Sequence, residues 1–381
     1  MDQIFVQIAS YRDAELPLTI KSALSTAKHP ERITFGICWQ YDEATYLDLD
    51  AFVDDSRFSI SQSYYEDSQG CCWARNQTNL LYSGEKYTLQ IDAHMRFAHD
   101  WDERFINMLQ SLDSEKPVLS TYPAPFEYIN DIEHRYSDRG MQRLVMNRMR
   151  KDLTTIFRAE PVEDRSRPSP CHFLAAGQIF THGRFCEEVE YDPELYYSGE
   201  EISLSARAYT QGYDFYCPNE DLLWHLYQHT MPVHSTDHRD NQHGAAIKRL
   251  HTLFIEDHTK LGKYGFGEVR SLIDYEKATG LDFEGRLDRK PVKTHLKKTV
   301  NLNLSKIEER ADYDYWIFTL RDIDDQEIYR KDLNLDEIPS HETPTIELDV
   351  ELADEPVSYG IWPHAPKHGY FPRHFEDLRF C

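Results

Sequence analysis

The sequence predicts an α/β protein: a large Rossmann-like domain with a mainly parallel sheet, then a small all-β, sandwich-like domain. Three observations lead there. Apolar runs alternate with helix-periodic segments through about residue 230, the pattern of layered α/β folds. From about Lys293 the texture changes to period-two alternation, as in Thr299-Val300-Asn301-Leu302-Asn303-Leu304 and Thr345-Ile346-Glu347-Leu348-Asp349-Val350, which marks half-buried antiparallel strands. Finally, 381 residues with 40% hydrophobic and 13% aromatic content exceed one usual domain and can fill a substantial core. The expected domains are residues 1–285 and 293–381, with a polar linker near Arg286 to Lys290.

Each element has its own signal. Ile4 to Ala9 is an apolar first strand. Leu16, Ile20, Ala23, Leu24 and Ala27 share one helical face, and His29-Pro30 stops that helix before a second strand, Ile33 to Trp39. Cys72 to Leu81 reads as a helix and Tyr87 to Ile91 as a strand, so Asp92 stands just past a strand's carboxyl end, where open α/β sheets collect ligands. Helix Trp101 to Leu112 and strand Val118 to Tyr122 follow. Residues 123–170 are locally basic, with Arg135, Arg139, Arg143, Arg148, Arg150 and Lys151, and read either as a solvated loop-helix insertion or as a flap that meets an anionic ligand. Structure resumes at Cys171 to Phe180, followed by a helix from Gly199 to Gln211, short strands at Phe215 to Cys217 and Leu222 to Leu226, and helices His243 to Leu261 and Glu268 to Thr279. Beyond the linker, Tyr315 to Leu320, Glu327 to Tyr329 and Val357 to Trp362 add strands to the two alternating stretches.

Composition removes several functional classes. Lys and Arg total 42 against 66 Asp and Glu, a formal charge of −24, which disfavours nucleic acid and anionic membrane surfaces as partners. No apolar run reaches the length of a membrane span, and Met1 leads directly into the first strand without a signal-like segment, so the expected compartment is the cytoplasm. Seven cysteines without a C-x-x-C spacing read as reduced thiols.

Five stretches can carry chemistry. In "YTLQIDAHMRFAHDWD", Asp92 and His94 are two residues apart; on a strand they point the same way and can share a divalent cation, whereas the plainer reading is an Asp capping the next helix and a core His. "CCWARNQTNLL" places Arg75 at a helix start, and "ASYRD" places Ser10 and Arg12 at the end of the first strand; both suit a phosphate or a carbonyl-bearing base. "LAAGQIF" holds Ala176 and Gly177, small enough for backbone to approach a ligand. Glu200 and Glu201 in "YYSGEEISLSARAYTQGYDFY" are either favourable first-turn charges or partners for an acceptor hydroxyl. In "LLWHLYQH", His225 is a core residue or the third member of a His-His-carboxylate site, and His229, His234, His238 and His243 form a competing, irregular cluster.

Taken jointly and in order, "IFVQIASYRD", "CCWARNQ", "LQIDAHMRFAHDWD", "AAGQIF", "SGEEISLSARAYTQGYDFYCP" and "WHLY" resemble the GlcNAc-transferase family typified by cytoplasmic UDP-GlcNAc:hydroxyproline polypeptide α-N-acetylglucosaminyltransferase, and more distantly the polypeptide GalNAc-transferases. The resemblance spans roughly residues 1–260. It implies a GT-A fold, a UDP-sugar donor with GlcNAc as the sugar, a protein or glycan acceptor, and retention of the anomeric configuration. It further implies Mn²⁺ (or Mg²⁺) on Asp92, His94 and His225. Two alternatives stay open: an inverting glycosyltransferase with Glu200 or Glu201 as base, and a non-catalytic carbohydrate-binding or scaffold protein.

Overall fold

The computed structural model describes residues 2–46, 49–137, 141–150, 153–197, 199–227, 234, 242–283, 294–308, 312–322, 327–334, 337–339, 344–352, 355–366 and 369–378. The chain divides into two compact units, Met1–Arg286 and Leu287–Cys381. The expected linker lies outside the described residues.

In the first unit, β1 (Ile4–Tyr11) leads into α1 (Leu16–Thr26), which buries Leu16, Thr19, Ile20 and Ala23. Strands β2 (Ile33–Tyr41) and β3 (Phe58–Tyr64) precede α2 (Cys71–Asn79) and β4 (Tyr87–Asp92). The chain then turns into β5 (Met95–Phe97), α3 (Trp101–Gln110) and β6 (Pro117–Ser120). Next come β7 (Ala124–Ile129), β8 (Ile132–Arg135), β9 (Gln142–Met149), β10 (Thr155–Pro161), β11 (Ser169–Cys171) and β12 (Gln178–His182). The unit closes with α4 (Phe185–Glu188), α5 (Glu200–Thr210), β13 (Asp214–Cys217), β14 (Leu223–Leu226), α6 (Gln242–Phe254) and α7 (Leu272–Thr279).

Eight strands form the main sheet in the order β11-β13-β6-β12-β4-β1-β2-β3. The run β4-β1-β2-β3 is parallel throughout, as expected, but β12 is antiparallel to both its neighbours and β11 to β13. The sheet is therefore mixed, with parallel pairing in the majority. Apolar periodicity reports which residues are buried and carries no record of strand direction, so this feature was invisible in the pattern. Val118 and Leu119, and likewise Ile179 and Phe180, belong to different core clusters. Adjacent strand residues point to opposite faces, so both faces of the sheet are covered: one by α1 and α3, the other by α5, α6 and α7.

Two expectations are corrected. Residues 123–170 contain no helix among the described residues; they form the hairpin pairs β7–β8 and β9–β10. Along β9, Leu144 and Met149 are buried while Arg143 faces out, and the interspersed charge masks a short alternation. Nor do Asp92 and His94 share a strand face. The strand ends at Asp92, and Ala93-His94 turn the corner from the main sheet into a second, four-stranded sheet, β5-β14-β7-β8.

The second unit is all β. Strands β15 (Thr294–Asn301) and β18 (Thr345–Leu352) form one antiparallel pair. In the other sheet, β16 (Tyr315–Arg321) lies between β17 (Glu327–Asn334) and β19 (Ser358–Ala365), and short β20 (Gly369–Tyr370) and β21 (His374–Asp377) pair with β19. Val300, Leu348, Trp316, Phe318 and Ile361 share one core between the sheets, the sandwich that alternation implies.

Candidate active site

Strand register assembles the site. In the β1–β4 pair, Ala9 stands opposite Asp92, so the "ASYRD" stretch and the Asp-x-His corner emerge side by side. In the β5–β14 pair His225 stands opposite Met95, and Leu226 N–H donates to His94 O at 3.1 Å. Two histidines far apart in sequence are thereby brought together: His94 Nε2 lies 3.0 Å from His225 Nε2, which lies 3.2 Å from Asp92 Oδ2. One ligand atom from each of Asp92, His94 and His225 falls within 4.8 Å of the others. Neighbouring ligands of a six-coordinate cation, bound at about 2.1 Å and near right angles, stand about 3 Å apart. The donor set therefore fits a divalent cation. Helix α1 braces the corner, because Thr19 Oγ1 donates to Ala93 O at 2.7 Å and accepts from Met95 N–H at 2.8 Å.

Asp92 is held ionised. Burial opposes its charge, but the hydrogen bond from His225, the Arg75 guanidinium and the His94 imidazole hold its carboxyl well below the usual range. Burial likewise opposes a charged His94, and the hydrogen bond and charge of Asp13 outweigh it, raising the imidazole above its ordinary value. Arg75 Nη2 donates to Asp92 Oδ1 at 2.8 Å, and its Nε lies 2.8 Å from Glu200 Oε1. The side chain is only 6% exposed. Arg75 thus neutralises two carboxylates, Asp92 and Glu200, from within the protein.

The paired acids diverge. Glu200 turns inward to Arg75, whereas Glu201 Oε1 accepts from Ala176 N–H at 3.1 Å and its Oε2 from Tyr122 at 3.4 Å. Burial and the charge of Glu200 push the Glu201 carboxyl up to about 7. Gly199, with φ at +88°, makes the turn that aims the pair, and a Cβ there would meet Leu250 at 2.2 Å. Gly177 is needed for close approach, since a Cβ on it would lie 2.8 Å from Asp92 Oδ2. Ala176 and Gly177 thereby lay backbone between Glu201 and Asp92.

Ser10 and Arg12 occupy the adjacent strand end. Ser10 is buried, and its hydroxyl has no hydrogen-bond partner among the described residues. Arg12 adopts φ of 51°, donates from Nε to Asp42 at 2.7 Å and stacks 4.4 Å over Tyr65. Of the competing histidine cluster, His229 and His238 lie outside the described residues, as does the side chain of His243, and His234 bonds Tyr196 and Ser68 O. Sequence reasoning overlooked Asp13, whose Oδ2 lies 2.7 Å from His94 Nδ1, although it closes the same "ASYRD" stretch; a lone Asp before a helix reads as a helix-end charge.

Comparison with known proteins bears on the fold and the family. Among solved structures, the crystal structure of GalNAc-T7 with UDP, GalNAc and Mn²⁺ is similar, with a TM-score of 0.52 at 14% identity, covering 74% of this chain and 55% of that one. The chain thus spans about half the length of GalNAc-T7. The crystal structure of S. aureus TarS 1–349 gives a TM-score of 0.39 at 10% identity, covering 59% and 60% of the two chains. No curated protein matches the sequence. The fold is GT-A, with a small all-β unit after it. The family model described as "Glycosyltransferase (GlcNAc)" matches residues 3–52 and 47–285; with most of the first unit covered, the chain belongs to that glycosyltransferase family.

Proposed function

We propose that this protein is a metal-dependent, retaining glycosyltransferase that moves GlcNAc from UDP-GlcNAc to a hydroxyl on a polypeptide or glycan. The observation that carries the reading is the convergence of Asp92, His94 and His225 at a strand-end corner, within 4.8 Å of one another, in a chain of this family. A divalent cation, Mn²⁺ or Mg²⁺, would be held by these three residues and would supply electrostatic stabilisation to the diphosphate as it leaves. Arg75 keeps Asp92 charged and oriented, and Gly177 lets backbone lie against that carboxylate. Ser10 and Arg12 border the place of the nucleoside. Hydroxyproline is the polypeptide acceptor that best fits the resemblance in sequence. The first unit carries catalysis; the β unit positions acceptor or mediates assembly.

A second reading is an inverting reaction with Glu201 as general base, favoured by its carboxyl being pushed up to about 7. Incubation with UDP-GlcNAc, Mn²⁺ and hydroxyl-bearing peptides, followed by anomeric assignment of the product by NMR, tests both. An α-linked product supports retention and a β-linked product supports inversion. Donor that is neither hydrolysed nor transferred would contradict the enzyme reading and favour a carbohydrate-binding scaffold.

A further inference from the structure

We infer that Asp13 is a positioning residue for the metal corner, fixing the His94 ring so that Nε2 faces Asp92 and His225. The inference rests on the reading that these three residues hold a cation. Asp13 is 6% exposed, and one of its oxygens accepts Glu15 N–H at 2.9 Å, which ties the carboxylate to the start of α1. The other oxygen lies 2.7 Å from His94 Nδ1. A carboxylate only accepts, so Nδ1 carries the hydrogen and Nε2 is the nitrogen left to ligate in the neutral ring. The same helix braces the backbone on either side of His94 through Thr19. Ring and backbone are thus fixed from α1 and the turn that leads into it.

His225 offers a contrast within the same site. Its Nε2 meets Asp92 Oδ2 at 3.2 Å, but its Nδ1 is buried with no hydrogen-bond partner among the described residues, so no carboxylate holds that ring from the side away from the corner. The two imidazoles are unequal: His94 is held through Nδ1 by Asp13, leaving Nε2 to ligate, and His225 has no such partner on Nδ1 among the described residues. The orienting contribution to metal affinity therefore falls on Asp13.

The test is Mn²⁺ titration of the full-length, metal-stripped protein, with free Mn²⁺ read by EPR and the thermal midpoint of each apo form recorded. Asp13→Ala should weaken Mn²⁺ binding roughly 10–100-fold. Asp13→Asn, whose amide oxygen can still accept from Nδ1–H, should fall between that variant and the parent. A merely structural role would lower the apo midpoint and leave the affinity of the folded protein unchanged. Parent-like affinity in both variants would overturn the inference alone, while a parent that takes up no Mn²⁺ would overturn it together with the proposed function. Should Asp13→Ala fail to fold, Asp13→Asn decides: weaker binding supports the inference, and equal binding overturns it.

Discussion

Asp92 and Glu201 border one crevice on either side of the Ala176-Gly177 backbone, and their surroundings drive them apart. Around Asp92 stand a guanidinium and two imidazoles, and its carboxyl is held far below the usual range despite burial. Around Glu201 stand a neutral N–H, a phenol and the like charge of Glu200, and burial carries its carboxyl up to about 7. Two acids are thereby assigned two tasks by environment rather than residue type. One stays anionic and suits a cation; the other can exchange a proton near neutral pH. Arg75 divides the two settings, since it pairs with Asp92 and Glu200 and donates nothing to Glu201.

Removing that divider should have the largest effect. In Arg75→Met, the buried Glu200 and the partly buried Asp92 lose their shared cation, and stability should fall by about 3–5 kcal/mol, measured by urea denaturation. A loss below about 1 kcal/mol would show that solvent rather than Arg75 balances these charges. Glu201→Gln should act more gently, through pH. The native carboxyl titrates near 7 against an ordinary 4.5, so between those values the folded state holds the extra proton. The parent's stability contribution from this group is present below pH 4.5 and lost as pH rises through 7. Glu201→Gln should flatten the thermal midpoint across that window and be more stable than the parent at about pH 8; an unchanged slope would remove Glu201 as the titrating group. The smallest effect belongs to the β unit: a chain ending at Arg286, the boundary of the first compact unit, should keep metal-dependent hydrolysis of the donor. A folded truncation unable to bind nucleotide would tie the β unit to the donor site.

The elements legible in the sequence were those whose pattern is local. Helix α1 showed its face through Leu16, Ile20 and Ala23, and β1, β2 and β4 appeared as mainly apolar runs. Strand β3 escaped notice because Phe58–Tyr64 is only partly buried and lies at the sheet edge. The β7 to β10 hairpins escaped because they bury few side chains: in β7–β8 Tyr128, Ile129 and Ile132 are exposed, and in β9–β10 Arg143 and Arg158 are. At the site, Asp92, His94 and His225 were nameable from residue type and resemblance, but the corner that unites them is not a strand. Pairing of β5 with β14 does that work, and such long-range register leaves no periodic trace. The partners of Arg75 were hidden for the same reason. A guanidinium beside a helix start invites a ligand, and only tertiary packing places Glu200 and Asp92 on it.

The most direct test of the corner is calorimetric titration of UDP into the metal-stripped protein with Mn²⁺, with EDTA, and in an Asp92→Asn variant. The expected result is UDP binding that requires Mn²⁺ and weakens roughly 100-fold or more in the variant, the scale on which one preorganised electrostatic partner acts. UDP binding that is indifferent to EDTA, or full Mn²⁺-dependent affinity without the Asp92 charge, would contradict a cation held by Asp92, His94 and His225.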